Sequence, residues 1–321
     1  MSSACLPTLL LTLFNCPGDD LSLVDRRVDQ ARGNGRMPSV NAIKRTWSRP
    51  RKSSVSEKYL FIICMNNSGS TLLERVLKDC RNVVGFLAPG GPDQQVNGQR
   101  FVTDLMPTPG KIEVRCRRIW TEQADVLVDE ARYNWPRIRQ RWRREWRRNP
   151  KFRTANPRIF LEKSPANVLR ATMLQAHFDA SSFILMQRNP YAVAEGIRRR
   201  TNLPLNRCIQ HWIRCAQQQI RNEQTLRSVT RLNYEDLSER PDYCRQMIVQ
   251  LMPELDDVDL NKEVSVQSIE GKVRRPIINY NEQQIARLTP SDIGEMNHCL
   301  DQVPEVMKHF GYAYVRAGME V

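Results

Sequence analysis

Metal chemistry has little to work with in this chain. Four histidines and nine scattered cysteines form no Cys-x-x-Cys pair and no His/Cys cluster, which argues against a structural zinc site. The odd, dispersed cysteines read as mostly reduced thiols, although a few bridges stay open. A Gly-x-x-x-x-Gly-Lys-Ser/Thr run is missing, and with it the lysine that a P-loop NTPase or nucleoside kinase needs. Internal repeats and coiled-coil heptads are also missing. No apolar run approaches the ~20 residues of a membrane span. The run Cys5–Phe14 is as long as a signal-peptide core, but no basic residue precedes it, so a cytoplasmic location is slightly favoured. Between Glu74 and Glu113 there is no glutamate at all.

What is present is cation. Lysine and arginine number 49 against 35 acidic residues, a net charge of +14, which suits an acidic ligand, nucleic acid or an anionic surface and is equally met by solvated side chains. A chain of 321 residues with 40% hydrophobic content can bury one large α/β domain or two small ones. Residues 1–56 mix charge, Gly, Pro and Ser around Lys44, Arg45, Arg49, Arg51 and Lys52, and read as a poorly ordered leader. The single domain expected is 57–316, with a loop and helical insertion at about 86–155 and a tail at 317–321.

The chain is organised around residues 59–78. Tyr59–Met65 is a short apolar run rich in β-branched and aromatic residues, long enough for a buried strand and too short for a buried helix. Asn66-Asn67-Ser68-Gly69-Ser70 is turn chemistry, and Thr71–Lys78 switches to helical spacing with Leu72, Leu73, Val76 and Leu77 on one face. A strand, small-residue turn and helix aim backbone N–H groups at one point, which suits a phosphate or sulfate. An ordinary turn with a Ser or Thr N-cap would read the same way. A second buried run, Ser182–Met186, ends in Gln187-Arg188-Asn189-Pro190, which sets an arginine at a strand's carboxyl end and a proline at a helix start. Ligands of open α/β sheets collect at such ends, so the pair suits a ligand with two anionic groups.

At these residues the sequence resembles the sulfotransferases that use 3′-phosphoadenosine 5′-phosphosulfate, most closely bacterial and heparan-type members. Met65–Leu73 resembles their 5′-phosphosulfate loop, Arg188-Asn189-Pro190 their 3′-phosphate motif, and Leu161-Glu162-Lys163-Ser164-Pro165 their Glu-Lys-Ser/Thr segment. Arg231–Leu237 and Phe310-Gly311-Tyr312 are similar to two further family segments, in family order. The resemblance implies a three-layer α/β fold, a parallel sheet with helices on both faces, of the P-loop nucleoside-kinase-like sulfotransferase type. It implies a sulfuryl donor and no metal. Asn66, Asn67, Ser68, Gly69, Ser70, Thr71 and Leu72 would hold the 5′ end, Arg188 and Gly196 the 3′ end, and Tyr234 the adenine. Lys163 would add charge near the sulfuryl group. Lys272, Arg274 and Arg275, in the basic loop Gly271–Pro276, would close over the 3′-phosphate. The acceptor would be a small molecule or carbohydrate, acidic ones included, with no nucleic acid expected.

Three positions depart from the family pattern. Asn67 stands where the family usually has Lys or Arg, and Gly196 where a serine commonly follows the arginine by eight residues; Arg198, Arg199 or Arg200 would compensate. Gly85-Phe86 stands where many members read Gly-Glu. Asp93 is then the default general base, with Asp104 next, although Asp93 after Pro92 also reads as simple turn chemistry.

Elsewhere, Ile119 to about Arg148 is helical, with an apolar face at Trp120, Val126, Leu127 and Ala131 and a break at Pro136. Ile138, Trp142 and Trp146 recur at helical spacing among arginines, which fits a packed face, with a basic rim or single-stranded nucleic acid as rival readings. Further helices are expected over Ala166–Phe178, Cys208–Arg221, Pro241–Met252, Glu282–Leu288 and a C-terminal helix through Leu300 and Phe310, with strands at Arg158–Leu161 and Val229–Asn233.

Overall fold

The computed structural model describes residues 57–87, 96–109, 119–268 and 271–316, all in the unit Ser53–Val321; for 266–268 and 271–273 it describes the backbone alone. The leader, its basic cluster, the Cys5–Phe14 run, Asp93 and the tail lie outside the described residues.

Five strands, β1 (Lys58–Cys64), β2 (Val83–Val84), β3 (Ile159–Lys163), β4 (Ser181–Gln187) and β5 (Val229–Asn233), form one parallel sheet in the order β2-β3-β1-β4-β5. The central strand is apolar without interruption because both its faces are covered, as in parallel sheets generally. Tyr59, Phe61 and Ile63 enter one core cluster; Leu60, Ile62 and Cys64 enter the other.

The helices are α1 (Ser70–Asp79), α2 (Ala124–Val128), α3 (Trp135–Arg148), α4 (Lys151–Thr154), α5 (Ala171–His177), α6 (Pro190–Thr201), α7 (Leu205–Thr225), α8 (Tyr234–Glu239), α9 (Pro241–Leu251), α10 (Asn281–Ile285), α11 (Pro290–Leu300) and α12 (Pro304–Phe310). Ile138, Trp142 and Trp146 of α3 are fully buried and pack on the first face with Leu174 of α5 and Ile209, Trp212 and Ala216 of α7. Leu73, Val76 and Leu77 of α1 and Cys244 and Ile248 of α9 cover the second. The result is the expected three-layer α/β architecture.

Several expectations are corrected. The helix expected over Ala166–Phe178 is a 3₁₀ turn at Pro165–Leu169 followed by α5, because Arg170 between them is buried with non-helical dihedrals. The C-terminal helix is two, divided where Pro304 starts α12. Val126 and Ala131 are exposed, so the face expected before Pro136 reduces to Trp120 and Leu127. Gly271–Pro276 is not a loop: Gly271–Arg275 is a strand, β7, paired antiparallel with β6 (Val264–Ser268).

Candidate active site

Register decides which residues meet. Ile62 of β1 lies beside Lys163, Cys64 beside Met186, and Gln187 beside Asn233. The segments that follow, 65–69, 164–165, 188–189 and 234, therefore leave the same edge of the sheet, the carboxyl edge where α/β proteins bind ligands.

The first segment turns tightly. Asn67 (φ 62) and Gly69 (φ 79) both take left-handed backbone, and the Ser68 hydroxyl donates to the Met65 carbonyl at 2.9 Å. Asn is among the few side-chain-bearing residues that tolerate this region. Gly69 is the N-cap of α1, and no side chain caps that helix. The Leu72 N–H instead closes back on the Gly69 carbonyl at 2.9 Å, which tightens the first turn. Gly69 is fixed twice over, since a Cβ there would also lie 2.2 Å from Cδ2 of Tyr234. Asn66 accepts at 3.4 Å from the indole of Trp120, whose other side meets His211 edge-on at 5.0 Å. Leu72 is half-buried and packs against the second core.

Arg188 is 6% exposed and held on every side. Its Nη1 donates to the Asn67 carbonyl (2.9 Å), Nε to Asn281 Oδ1 (2.8 Å) and Nη2 to Gln284 Oε1 (2.9 Å). Its guanidinium lies 3.9 Å from the centroid of the Tyr234 ring, a cation–π contact. Trp212 of α7 pins its backbone carbonyl at 2.9 Å. Every one of these hydrogen-bond acceptors is a neutral oxygen, and burial lowers the pKa of the guanidinium. Glu235 acts one step away: it accepts from Asn281 Nδ2 at 2.5 Å, which turns Asn281 Oδ1 toward the arginine. The Asn189 side chain caps α6 at the N–H groups of Tyr191 and Ala192 (3.0 and 3.4 Å), with Pro190 in the first turn.

Lys163 meets α1 at Thr71: its ammonium is 8% exposed and lies 3.2 Å from Glu74 Oε2 and 3.4 Å from the Thr71 hydroxyl. Burial pulls its pKa down, and the Glu74 carboxylate more than reverses this, leaving it raised. Burial pushes Glu74 up, but Lys163 and Lys78 outweigh it and the carboxyl ends lowered. Glu74 is thus the counter-ion that the sequence did not single out. Glu162 points to the other face, where it accepts from the Gly98 N–H (3.0 Å), the Ser164 hydroxyl (2.6 Å) and Asn167, and burial raises its pKa.

The remaining expected residues divide. Tyr234 stands beside Gly69 and Arg188 with its hydroxyl on the Ile278 carbonyl at 2.6 Å. Gly196 on α6 faces the Asn67 side chain. Arg274 is exposed and bonds the Glu263 carbonyl within the hairpin, and Arg275 lies over Tyr280 at 4.9 Å; among the described residues neither bonds to the 65–71 segment. The side chain of Lys272 lies outside the described residues. Arg198 is engaged with Asp292 (2.7 and 3.1 Å) and Arg199 with Glu195 (2.9 Å), while the charge of Arg200 lies near enough to Arg188 to help lower its pKa. Phe86 is a core residue, stacked on Trp146 at 4.6 Å, and Asp104 is an exposed partner of Arg141 at 2.6 Å. Among the described residues no three His, Cys, Asp or Glu side chains gather to hold a metal.

The model of the sulfotransferase family matches residues 60–251. Among solved structures the chain is similar to a sulfotransferase domain from the curacin biosynthetic pathway, at 18% identity over 81% of this chain and 99% of that one, with a TM-score of 0.44. It is also similar to the sulfotransferase domain of the Synechococcus PCC 7002 olefin synthase, at 18% identity over 76% and 94%, TM-score 0.43. A third is a sulfotransferase from Alicyclobacillus acidocaldarius, at 13% identity over 81% and 98%, TM-score 0.46. No curated protein matches the sequence.

Proposed function

The chain belongs to the sulfotransferase family, and from that premise we propose that it moves a sulfuryl group from 3′-phosphoadenosine 5′-phosphosulfate to a hydroxyl or amine of a small-molecule or carbohydrate acceptor. The observation that carries this reading is the 2.9 Å hydrogen bond from Arg188 to the Asn67 carbonyl. It joins a cation on one strand end to the uncapped helix start on the next, side by side, as a nucleotide with two anionic ends requires.

The residues fit such a donor. A buried guanidinium with only neutral hydrogen-bond partners gains from an anion beside it. The start of α1, which no side chain caps, offers the positive end of a helix dipole to another. The donor supplies an activated sulfuryl group on a good leaving phosphate. The protein's part is then positioning and electrostatics, as in phosphoryl transfer. The N–H groups of residues 67–71 and the Ser70 and Thr71 hydroxyls bind the 5′-phosphosulfate. Arg188 takes the 3′-phosphate, and Tyr234 supports Arg188 and flanks the adenine. Lys163, neutralised by Glu74, orients the Thr71 hydroxyl more than it adds net charge. Asp93 accepts the acceptor's proton. Residues 57–316 form the catalytic domain.

A second reading, a family member that binds nucleotide without turnover, is favoured by one observation: the position of the usual glutamate is taken by Phe86, a core residue. Two measurements decide. Adenosine 3′,5′-bisphosphate at a hundredfold excess over its Kd should stabilise the fold by about 2.7 kcal/mol, and ATP should not. An equal response to ATP, or none to the bisphosphate, overturns the donor assignment. Transfer of labelled sulfate to an acceptor panel separates enzyme from binder.

A further inference from the structure

Two of the three departures from the family pattern touch each other. A Cβ on Gly196 would lie 3.4 Å from Asn67 Nδ2 and 3.5 Å from its Cγ, in ordinary to close contact. Asn67 has left-handed backbone, and its carboxamide lies against α6. Its backbone carbonyl receives Arg188 Nη1, so the one residue touches α6 through its side chain and Arg188 through its main chain. Among the described residues nothing hydrogen-bonds to the Asn67 carboxamide, whereas Arg198 and Arg199 are already paired with Asp292 and Glu195.

Resting on the donor reading above, we propose that the Asn67 carboxamide, and not a hydroxyl from α6, completes with Arg188 the subsite for the donor's 3′-phosphate, and that Asn67 thereby sets the preference for 3′-phosphorylated nucleotides. A seryl hydroxyl at 196 would project into the space the amide already reaches. Asparagine therefore replaces two side chains with one: it holds the left-handed turn and it supplies the N–H donor. The sequence alone assigned Asn67 to the 5′ end; under this proposal its backbone N–H stays there and its carboxamide serves the 3′ end.

The test is titration calorimetry with adenosine 3′,5′-bisphosphate and adenosine 5′-monophosphate. Asn67→Gly keeps the left-handed turn, and Asn67→Asp keeps the shape but sets a carboxylate beside the phosphate. A hydrogen bond to a charged group is strong enough that Asn67→Gly should weaken the bisphosphate about tenfold and the monophosphate less than about twofold. Asn67→Asp should show a larger selective loss, and adding Gly196→Ser to Asn67→Gly should restore part of the affinity. Equal losses for both nucleotides, or no loss for the bisphosphate, overturn this assignment and leave the donor reading standing. If neither nucleotide binds the unaltered protein, the donor reading falls and this assignment falls with it.

Discussion

At the scale of single residues, Gly69 and His211 carry the most consequence for the least bulk. Gly69→Ala places a Cβ on left-handed backbone, which costs about 1–2 kcal/mol, and drives it into the Tyr234 ring. Urea denaturation should show a loss at least that large, and bisphosphate binding should fall with it. His211 is buried behind Trp120, its Nδ1 2.9 Å from the Thr121 hydroxyl, and burial lowers its pKa to about 3. The unfolded chain, with a histidine pKa of about 6.5, binds the proton that the folded chain refuses. His211 therefore contributes stability above that pH, and the contribution is lost as pH falls toward about 3. The slope is about 1.4 kcal/mol per pH unit. His211→Asn should remove this slope from urea midpoints measured on acidification; an unchanged slope would mean the imidazole is already protonated in the fold. Neither effect was legible in the sequence. Gly69 could be read as turn chemistry, but nothing local announces a tyrosine ring 165 positions on, and His211 sits unmarked among the apolar residues of its helix.

Between elements, the pair Glu74–Lys163 ties α1 to β3, and both side chains are almost fully buried. Removing one partner of such a pair typically costs about 3–5 kcal/mol, because a charge is left alone in the interior. Lys163→Met should therefore destabilise by that order, and Lys163→Met with Glu74→Leu should recover much of it. The pH signs follow from the shifts. Glu74 is lowered, so its contribution is complete above the carboxylate range near pH ~4.3 and is lost on acidification. Lys163 is raised, so its contribution is complete below about pH 10.4 and is lost above. The gap between native and Glu74→Gln midpoints should accordingly shrink from neutral pH toward pH ~3.

The same scale shows why some elements were readable and others were not. The strand at 58–64 and the helix after it announce themselves through an unbroken apolar run and then a change of period, and α3 through three tryptophans and an isoleucine on one side of an arginine-rich helix. The hairpin β6–β7 gave no such signal: Gly271–Arg275 is charged at three of five positions, and a strand stabilised by its neighbour's backbone has no need of a hydrophobic face. Arg170 hid the interruption before α5, since a fully buried arginine is not what an apolar period leads one to expect.

For the molecule as a whole, the register of four strands brings motifs scattered over nearly 170 residues to one edge, and that order was legible because each motif pairs an apolar run with small or charged residues just beyond it. The balance of charge, +14 over the chain, acts at the same scale. A dianionic or more highly charged nucleotide should bind less tightly as salt rises. The Kd for adenosine 3′,5′-bisphosphate should increase from ~0.05 to ~0.5 M sodium chloride more steeply than that for the monophosphate; identical salt responses would mean that only one anionic end is held by fixed charge.

The Tyr234 ring has a consequence of its own. One phenol is ceiling to a glycine, bearing surface for a guanidinium and, through its hydroxyl, mooring for the segment that follows the hairpin at Ile278. Three stretches with no neighbourhood in the chain are buttoned together there, so their histories cannot drift apart: any side chain gained at 69 demands a smaller ring at 234, and any smaller ring unfastens the other two.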